Sequence, residues 1–312
     1  MRTLVTGATG FVGSYLTRQL LQAGHEVAVV CRPQSDLTRL GDAVSSIHRL
    51  HGDLRNLAEM ESAIRSFAPE VIFHLAWHGV GNQQRNDAQQ IDFNLPGSLA
   101  LVRLAIELDC RAFVGLGSQA EYGPQNTIID EWAPTRPTTM YGAAKLSTCL
   151  LSQQIAAASA MRFVWLRLFS SYGPGDSPDW MIPQLIHKLL RGERMALTAG
   201  EQRWDYIFVS DAAAAIARCG FEQQAQGIYN LGSGEAHTIR SIVESIRDQI
   251  DPTLPLGFGE VPYRPDQVMH LQANIDRLRA DTGWSPQVSL AEGLRQTIEW
   301  YMTAAKVSQI AV

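Results

Sequence analysis

Tyr141 and Lys145 stand four residues apart, the spacing that puts two side chains on one face of a helix. A phenol titrates near pH 10 and carries protons poorly at neutrality unless its surroundings stabilise the phenolate. A neighbouring ammonium does so, and the pair then offers a tyrosine that gives or takes a proton near neutral pH. Twenty-three residues before Tyr141, Ser118 follows the apolar run Ala112–Gly117, where its hydroxyl can hydrogen-bond a substrate oxygen beside the phenol. A lone Tyr-x-x-x-Lys occurs by chance in many helices; a second motif gives this one weight. Thr6-Gly7-Ala8-Thr9-Gly10-Phe11-Val12-Gly13 lies between a first strand and a first helix. Gly7, Gly10 and Gly13 there suit a tight turn, close backbone approach to a pyrophosphate, and close packing of helix on sheet. The free N–H groups of the helix N-terminus face the anion.

The elements that must position these groups read as an alternation of strands and helices. Thr3–Thr6 is a strand and Gly10–Ala23 a helix ending at Gly24. His25–Cys31, Ser46–Leu50 and Val71–Ala76 are further strands, with a helix from about Asn56 to Phe67 before the last. Leu95–Leu108 is helical, Ala112–Gly117 a strand, Tyr141–Ala158 a long helix and Phe163–Phe169 a strand. Near-continuous apolar strands alternating with helices predict an α/β fold, a Rossmann doubly wound parallel sheet buried on both faces. Its ligands would lie at the carboxyl edge of the strands, where both Ser118 and the glycine turn fall. After residue 170 prolines and aromatics cluster, at Tyr172–Pro183 and Pro252–Pro265, and predict irregular structure around shorter helices. Asp211–Cys219 and Ile228–Leu231 read as a helix and a strand returning to the main sheet. The expected organisation is a dinucleotide-binding domain of residues 1–170 plus about 205–235, and a smaller C-terminal substrate-binding lobe of about 171–204 plus 236–312.

Composition narrows the class of function. Lys+Arg 26 against Asp+Glu 31 gives a formal net charge of −5, and no basic run is present, which argues against nucleic acid or an anionic membrane as partner. Cys31, Cys110, Cys149 and Cys219 are far apart, without metal-ligand spacing, and read as core thiols rather than a disulfide framework or a metal site. No stretch is long and apolar enough to span a bilayer, and Thr3–Gly7 is too short an apolar run for a secretory leader. A cytoplasmic protein is expected.

The second strand ends in Cys31-Arg32-Pro33, where an NAD-preferring sheet usually has an acid for the ribose hydroxyls. Arg32 can pair with a 2′-phosphate instead, so NADP(H) is the favoured cofactor and NAD(H) the alternative. Asp53 and Leu54 follow the third strand, where a side chain and a backbone amide can meet the adenine; Asp53 could equally be the N-cap of the next helix.

At this point the chain resembles the extended short-chain dehydrogenase/reductases that act on nucleotide sugars, the epimerase, dehydratase and 4-ketoreductase group. TGATGFVG, GDL (52–54), HLA (74–76), Asn94, GSQAEYG (117–123), YGAAK (141–145), RLFSSYGPG (167–175), GEQRWDYIFVSDAA (200–213), YNLGSG (229–234) and YRPD (263–266) occur in the family's order and cover nearly the whole chain. The resemblance implies Ser118, Tyr141 and Lys145 as catalytic residues. It implies cofactor contacts from Phe11, Val12, Asp53, Leu54, Leu75, Ala76, Asn94 and Phe169, and the lysine also holding the nicotinamide ribose. Family members often dimerise through the helices after residues 94 and 141, so a homodimer is expected.

Within the family, 4,6-dehydratases carry acid or polar groups directly after the catalytic Ser or Thr, and this chain has Gln119-Ala120, with Glu121 one or two positions late and able to face away. Elimination of water is therefore disfavoured. The reading that follows is NADPH-dependent reduction of an NDP-4-keto-6-deoxysugar at C4, with Tyr141 donating the proton and Ser118 stabilising the developing alkoxide. A nucleotide-sugar epimerase is the alternative, and a non-catalytic dinucleotide sensor a third reading. For the substrate, Arg264 matches the family's diphosphate arginine. Arg203 is one place before the usual position, and on a strand that shift reverses the facing, which would turn Trp204 to the substrate. Gln119 borders the sugar site, Trp180 could stack on the nucleobase or pack in the lobe, and Trp77-His78 fall near the nicotinamide end.

Overall fold

The computed structural model describes residues 1–310. The first half alternates as β1 (Arg2–Thr6), α1 (Phe11–Gln22), β2 (Glu26–Cys31), β3 (His48–His51), α2 (Glu61–Phe67), β4 (Val71–His74), α3 (Gln89–Asp92), α4 (Leu95–Glu107), β5 (Ala112–Ser118), β6 (Thr127–Ile129), α5 (Met140–Ala156) and β7 (Arg162–Leu168). There follow β8 (Ser170–Tyr172), α6 (Met181–Leu190), β9 (Arg203–Phe208), α7 (Val209–Phe221), β10 (Gly227–Leu231), β11 (Ala236–Thr238), α8 (Ile239–Ile250), β12 (His270–Ala273), α9 (Asp276–Thr282) and α10 (Leu290–Ile310).

Seven strands form one sheet in the order β10-β7-β5-β4-β1-β2-β3, every neighbouring pair parallel. Chain order reverses between β1 and β4, so the crevice beyond their carboxyl ends is the switch point of a doubly wound sheet. Two apolar cores cover its faces, one with α1 and α7 against Val5, Val29, Phe73 and Val114, the other with α2, α4 and α5 against Leu4, Ile72, Phe113 and Trp165. Adjacent residues of one strand, such as Leu4 and Val5, serve opposite cores, which is why the strands read as continuous apolar runs.

The segment expected to hold one helix from Asn56 is instead a 3-10 turn, Leu54–Glu59, followed by the shorter α2. Asn56 has a non-helical backbone that interrupts the turn. The larger difference lies in the second half. The two proline-rich clusters are irregular as expected, between the end of β8 and the start of α6 and again before β12, but a second sheet, β11-β9-β12-β6 with β8 beside β9, forms from segments outside them and was not expected. Its strands run only three to six residues and come from distant parts of the chain, too short to show an alternating pattern. β6, from the first 170 residues, and β9 both pair into this second sheet, while α7 and β10 return to the first. The wholly buried Asp205 on β9 fastens the second sheet to the segment after β10: its carboxylate accepts from the N–H groups of Ser233, Gly234 and Ala273. A third core joins α6, α8 and α10 through Ile182, Ile186, Ile242, Ile246, Leu294 and Ile298. All four cysteines are buried and free. Among the described residues no helix is long and apolar enough to cross a membrane.

Candidate active site

The glycine turn is built by exclusion. Gly7 has φ +76°, and a Cβ there would lie 2.6 Å from the backbone nitrogen of Ala76; at Gly13 a Cβ would lie 2.1 Å from the Gly7 carbonyl oxygen. No side chain fits at either place, so α1 packs against the turn and β4 as closely as backbone allows. Gly10, extended at the N-cap of α1, supplies no side chain to the first N–H groups. Leu75 and Ala76 donate backbone N–H groups to the carbonyl and hydroxyl of Thr6, which locks the end of β4 beside the turn. Gly7, Gly10, Phe11, Val12, Gly13, Leu75 and Ala76 all line one cleft. A cradle that any Cβ would fill, at the N-terminus of a helix, fits a dinucleotide pyrophosphate.

Along the cleft, Arg32 is exposed at the rim beside Ser35 and Arg39, and its N–H donates to the Ser35 hydroxyl. Asp53 does what its N-cap alternative required. It accepts the Arg55 N–H at 2.9 Å and pairs with the Arg55 guanidinium at 2.7 Å, and these bonds hold its carboxyl below the usual range. It nevertheless borders the cleft with Leu54. Phe169 is buried in the wall, its N–H bonded to Leu231.

Ser118 ends β5 and caps the 3-10 turn Gln119–Glu121: its hydroxyl accepts from the Ala120 N–H while the Glu121 carboxylate accepts from the Ser118 N–H. Glu121 is wholly buried, and it also accepts from Trp165 Nε1 at 2.9 Å and pairs with Arg167 at 2.8 Å. This carboxylate faces away from the cleft as expected, though through the 3-10 turn rather than an extended segment, and serves as the foundation of Ser118. Gln119 and Ala120 line the cleft.

Tyr141 and Lys145 rise from the first turns of α5, which Thr139 caps through the Gly142 N–H. Both are buried. Burial raises the phenol above its ordinary value, and the Ser118 hydroxyl and the Arg85 guanidinium oppose that rise. The Lys145 ammonium donates to the Leu116 carbonyl, at 2.6 Å, and lies against the face of Trp77, 3.8 Å from its centroid. Burial pushes Lys145 down to about 7, against the opposing charge of Glu121. Arg85, unremarked in the sequence, has its guanidinium 5.3 Å from the Tyr141 ring centre and its carbonyl bonded to the Tyr141 N–H. The signal that could have found it is only that a long cation lies in the segment after HLA.

That segment is held from within. The Asn94 side-chain Oδ1 accepts the His78 N–H at 2.7 Å, and its Nδ2 donates to the backbone carbonyls of His78 and Gln90. His78 is itself hydrogen-bonded to Gln89, a structural placement. Asn94 and His78 both reach the cleft wall.

On the opposite wall Trp180, Trp204 and Arg264 line the cleft and Arg203 does not. Arg203 donates to the Ala236 carbonyl across the β9–β11 pairing. Register explains it: the neighbour Trp204 takes the inward direction, its Nε1 donating to Ser170. Arg264 is largely exposed on the rim beside Asp266. The cleft encloses about 1350 Å³, above the roughly 300–1,000 Å³ of a pocket for one small molecule, so it has room for a dinucleotide and a second ligand.

A doubly wound parallel sheet with a glycine turn at its switch point, and with Ser, Tyr and Lys converging beside it, defines an extended short-chain dehydrogenase/reductase, an enzyme of the NAD(P)-dependent oxidoreductase type. The chain matches the model of the NAD dependent epimerase/dehydratase family over residues 3–232 and belongs to that family. It is 29% identical to a UDP-glucose 4-epimerase of Streptomyces lividans, over 97% of both chains. Its fold is similar to that of the Thermus thermophilus UDP-glucose 4-epimerase solved with NAD, with TM-score 0.85, 28% identity, and coverage of 97% of this chain and 100% of that one. It is also similar to the Thermotoga maritima UDP-glucose 4-epimerase solved with UDP-glucose, with TM-score 0.87, 25% identity, and coverage of 98% and 100%.

Proposed function

We propose that this protein is a nucleotide-sugar 4-epimerase, inverting the configuration at C4 of the hexose of an NDP-sugar. Against reduction this reading is carried by the likeness to UDP-glucose 4-epimerases over nearly the whole chain, and against dehydration by the turn after Ser118. It brings a serine to the phenol of Tyr141 but presents Gln119 and Ala120 to the cleft, and its one carboxylate, Glu121, is locked beneath the site. No group of that turn facing the cleft can take the C5 proton and expel the C6 hydroxyl, so the family's dehydration lacks its acid and base there.

The glycine turn, Phe11, Val12, Leu75, Ala76, Asn94 and Phe169 would hold the dinucleotide, with Asp53 and Leu54 at the adenine. When bound, its nicotinamide ring supplies a reversible hydride acceptor. Tyr141 takes the proton of the C4 hydroxyl as the C–H bond is broken and returns it when hydride comes back to the other face of the ketone. Ser118 donates to the same oxygen, stabilising the charge that develops there. Lys145 lies at the floor against the Leu116 carbonyl, and Arg85 holds a positive charge beside the phenol ring. Trp204, Trp180 and Arg264 form the wall for the nucleotide diphosphate; Arg203 has no part in it. The epimerase relatives and their NAD and UDP-glucose complexes support this assignment.

A second reading, the NADPH-dependent 4-ketoreductase, is favoured by Arg32: an arginine and no acid ends β2, an arrangement suited to a 2′-phosphate. One experiment separates the two. The purified protein is denatured and its released nucleotide identified, and the native protein is then given UDP-glucose and related UDP-hexoses while the C4 proton is followed by NMR. Retained NAD with a C4 epimer formed establishes the epimerase. No retained nucleotide, with loss of NADPH absorbance on addition of an NDP-4-keto-6-deoxysugar, replaces it with the reductase. We further propose a homodimer through α4 and α5, where Leu150 and Leu151 stand exposed; sedimentation as a monomer would overturn that.

A further inference from the structure

Trp77 lines the cleft and is used by none of the steps above. It touches both members of the proton-handling pair. The Lys145 Nζ sits 3.8 Å from the centre of its ring, and its plane stands at 86° to the Tyr141 ring with centroids 6.2 Å apart. Its orientation is fixed from behind. The indole Nε1 donates to the side-chain Oε1 of the buried Gln90 at 2.8 Å, and the Gln90 Nε2 donates in turn to the backbone carbonyls of Gly79, at 2.6 Å, and Gln84, at 3.0 Å. A strut therefore runs from α3 through the indole to the two residues on α5. The ionisable groups around Lys145 are Glu121 beneath it, His74 from β4 and Tyr141 on its own helix, with Arg85 beyond the phenol. None lies between the ammonium and the indole face.

We propose that Trp77 is a positioning residue of this enzyme, its indole face holding the Lys145 ammonium at the cleft floor and its perpendicular contact holding the Tyr141 ring beside Ser118. This rests on the reading of Tyr141 and Lys145 as the proton-handling pair. A cation on a desolvated indole face is held more firmly than one in water. The contact thus opposes the burial that pushes Lys145 down to about 7.

The chain has three lysines, Lys145, Lys188 and Lys306. Trace acylation with acetic anhydride at a series of pH values, read by peptide mass spectrometry, therefore follows Lys145 directly, with the other two as internal references for the reagent. The variants are Trp77→Leu, which keeps apolar bulk and removes the π face, and Trp77→Phe, which keeps a π face and loses the bond to Gln90. In Trp77→Leu the midpoint of Lys145 labelling falls by about one pH unit; in Trp77→Phe it stays near that of the parent. On a nucleotide sugar that the parent turns over, Trp77→Leu lowers kcat by roughly tenfold, leaves KM within about twofold, and moves the rising limb of the pH–rate profile to higher pH. A labelling curve of folded Trp77→Leu that superimposes on the parent's overturns the proposal, as does a Phe variant shifted as far as Leu. Should Leu fail to fold by near-ultraviolet circular dichroism, Trp77→Met serves in its place with the same two outcomes. If the parent turns over no nucleotide sugar while Leu still shifts the labelling, the function proposed above falls and the hold of Trp77 on Lys145 stands.

Discussion

The two ends of the cleft are made of different material. At the glycine turn the wall is backbone, and its shape depends on side chains that are missing: a single added carbon at Gly7 or Gly13 would overlap main-chain atoms. At the other end side chains make much of the wall, with Tyr141, Lys145, Trp77, Arg85 and Trp204 each held against a neighbour. The backbone end can recognise only what all its ligands share, a pyrophosphate. The side-chain end can be altered one residue at a time, and it is where relatives of one fold come to differ in chemistry.

That contrast can be broken at several points. The largest effect is expected from Tyr141→Phe, which should lower turnover about 10²–10⁴-fold while leaving retention of the dinucleotide unchanged. If the dinucleotide is lost as well, the two ends are not independent. Glu121→Gln comes next. It leaves Arg167 buried beside a neutral amide, and breaking such a pair costs about 3–5 kcal/mol, read as a fall in denaturant midpoint; a stability equal to the parent's would mean that the pair is not the foundation of Ser118. Gly13→Ala should cost about 1–3 kcal/mol as overpacking and abolish dinucleotide retention in equilibrium dialysis. Survival of tight binding there would show that the turn can open. Arg32→Asp should shift the NADP(H)-to-NAD(H) preference toward NAD(H) by roughly tenfold, the worth of one charge-assisted hydrogen bond; an unchanged ratio would remove Arg32 from recognition of the 2′ position. The smallest effect belongs to Arg203→Ala. Its guanidinium serves only the Ala236 carbonyl, so KM for the sugar should move less than about twofold and stability by less than about 1 kcal/mol. A tenfold rise in KM would return Arg203 to the diphosphate.

The same contrast explains what could be read from the chain. The glycine turn was legible because backbone contacts are written as an absence, in three residues with fixed spacing. The seven-strand sheet was legible because its strands are buried on both faces and leave continuous apolar runs. The second sheet was not, since β6, β8, β11 and the others are short and joined from afar. Ser118, Tyr141 and Lys145 come to one cleft, with Ser118 at the phenol as its spacing suggested, but the Arg85 guanidinium beside the ring was not legible. Spacing on a helix puts Lys145 on the same face as Tyr141, yet it says nothing of where a four-carbon stem carries the charge, and the Leu116 carbonyl and Trp77 claim it. Arg85 and Trp77 lie in a segment with no repeating pattern, and their meaning comes only from what α5 brings against them. The Arg203 and Trp204 pair is a case where strand alternation was enough: the one-residue shift that would turn Trp204 inward does so, and Arg203, offered as a substrate contact, is the residue that leaves the cleft.

The turn after Ser118 has a consequence for how such an enzyme diversifies. Its first residue is held through the Glu121 carboxylate, and its last is that same glutamate, anchored to Arg167 on the next strand of the sheet. Between these two fixed ends sit Gln119 and Ala120, both facing the cleft. They form a replaceable cartridge. A lineage, or a protein engineer, could exchange the pair for an acid and a base and so try a new reaction without remaking the floor that holds the Ser118 hydroxyl in place.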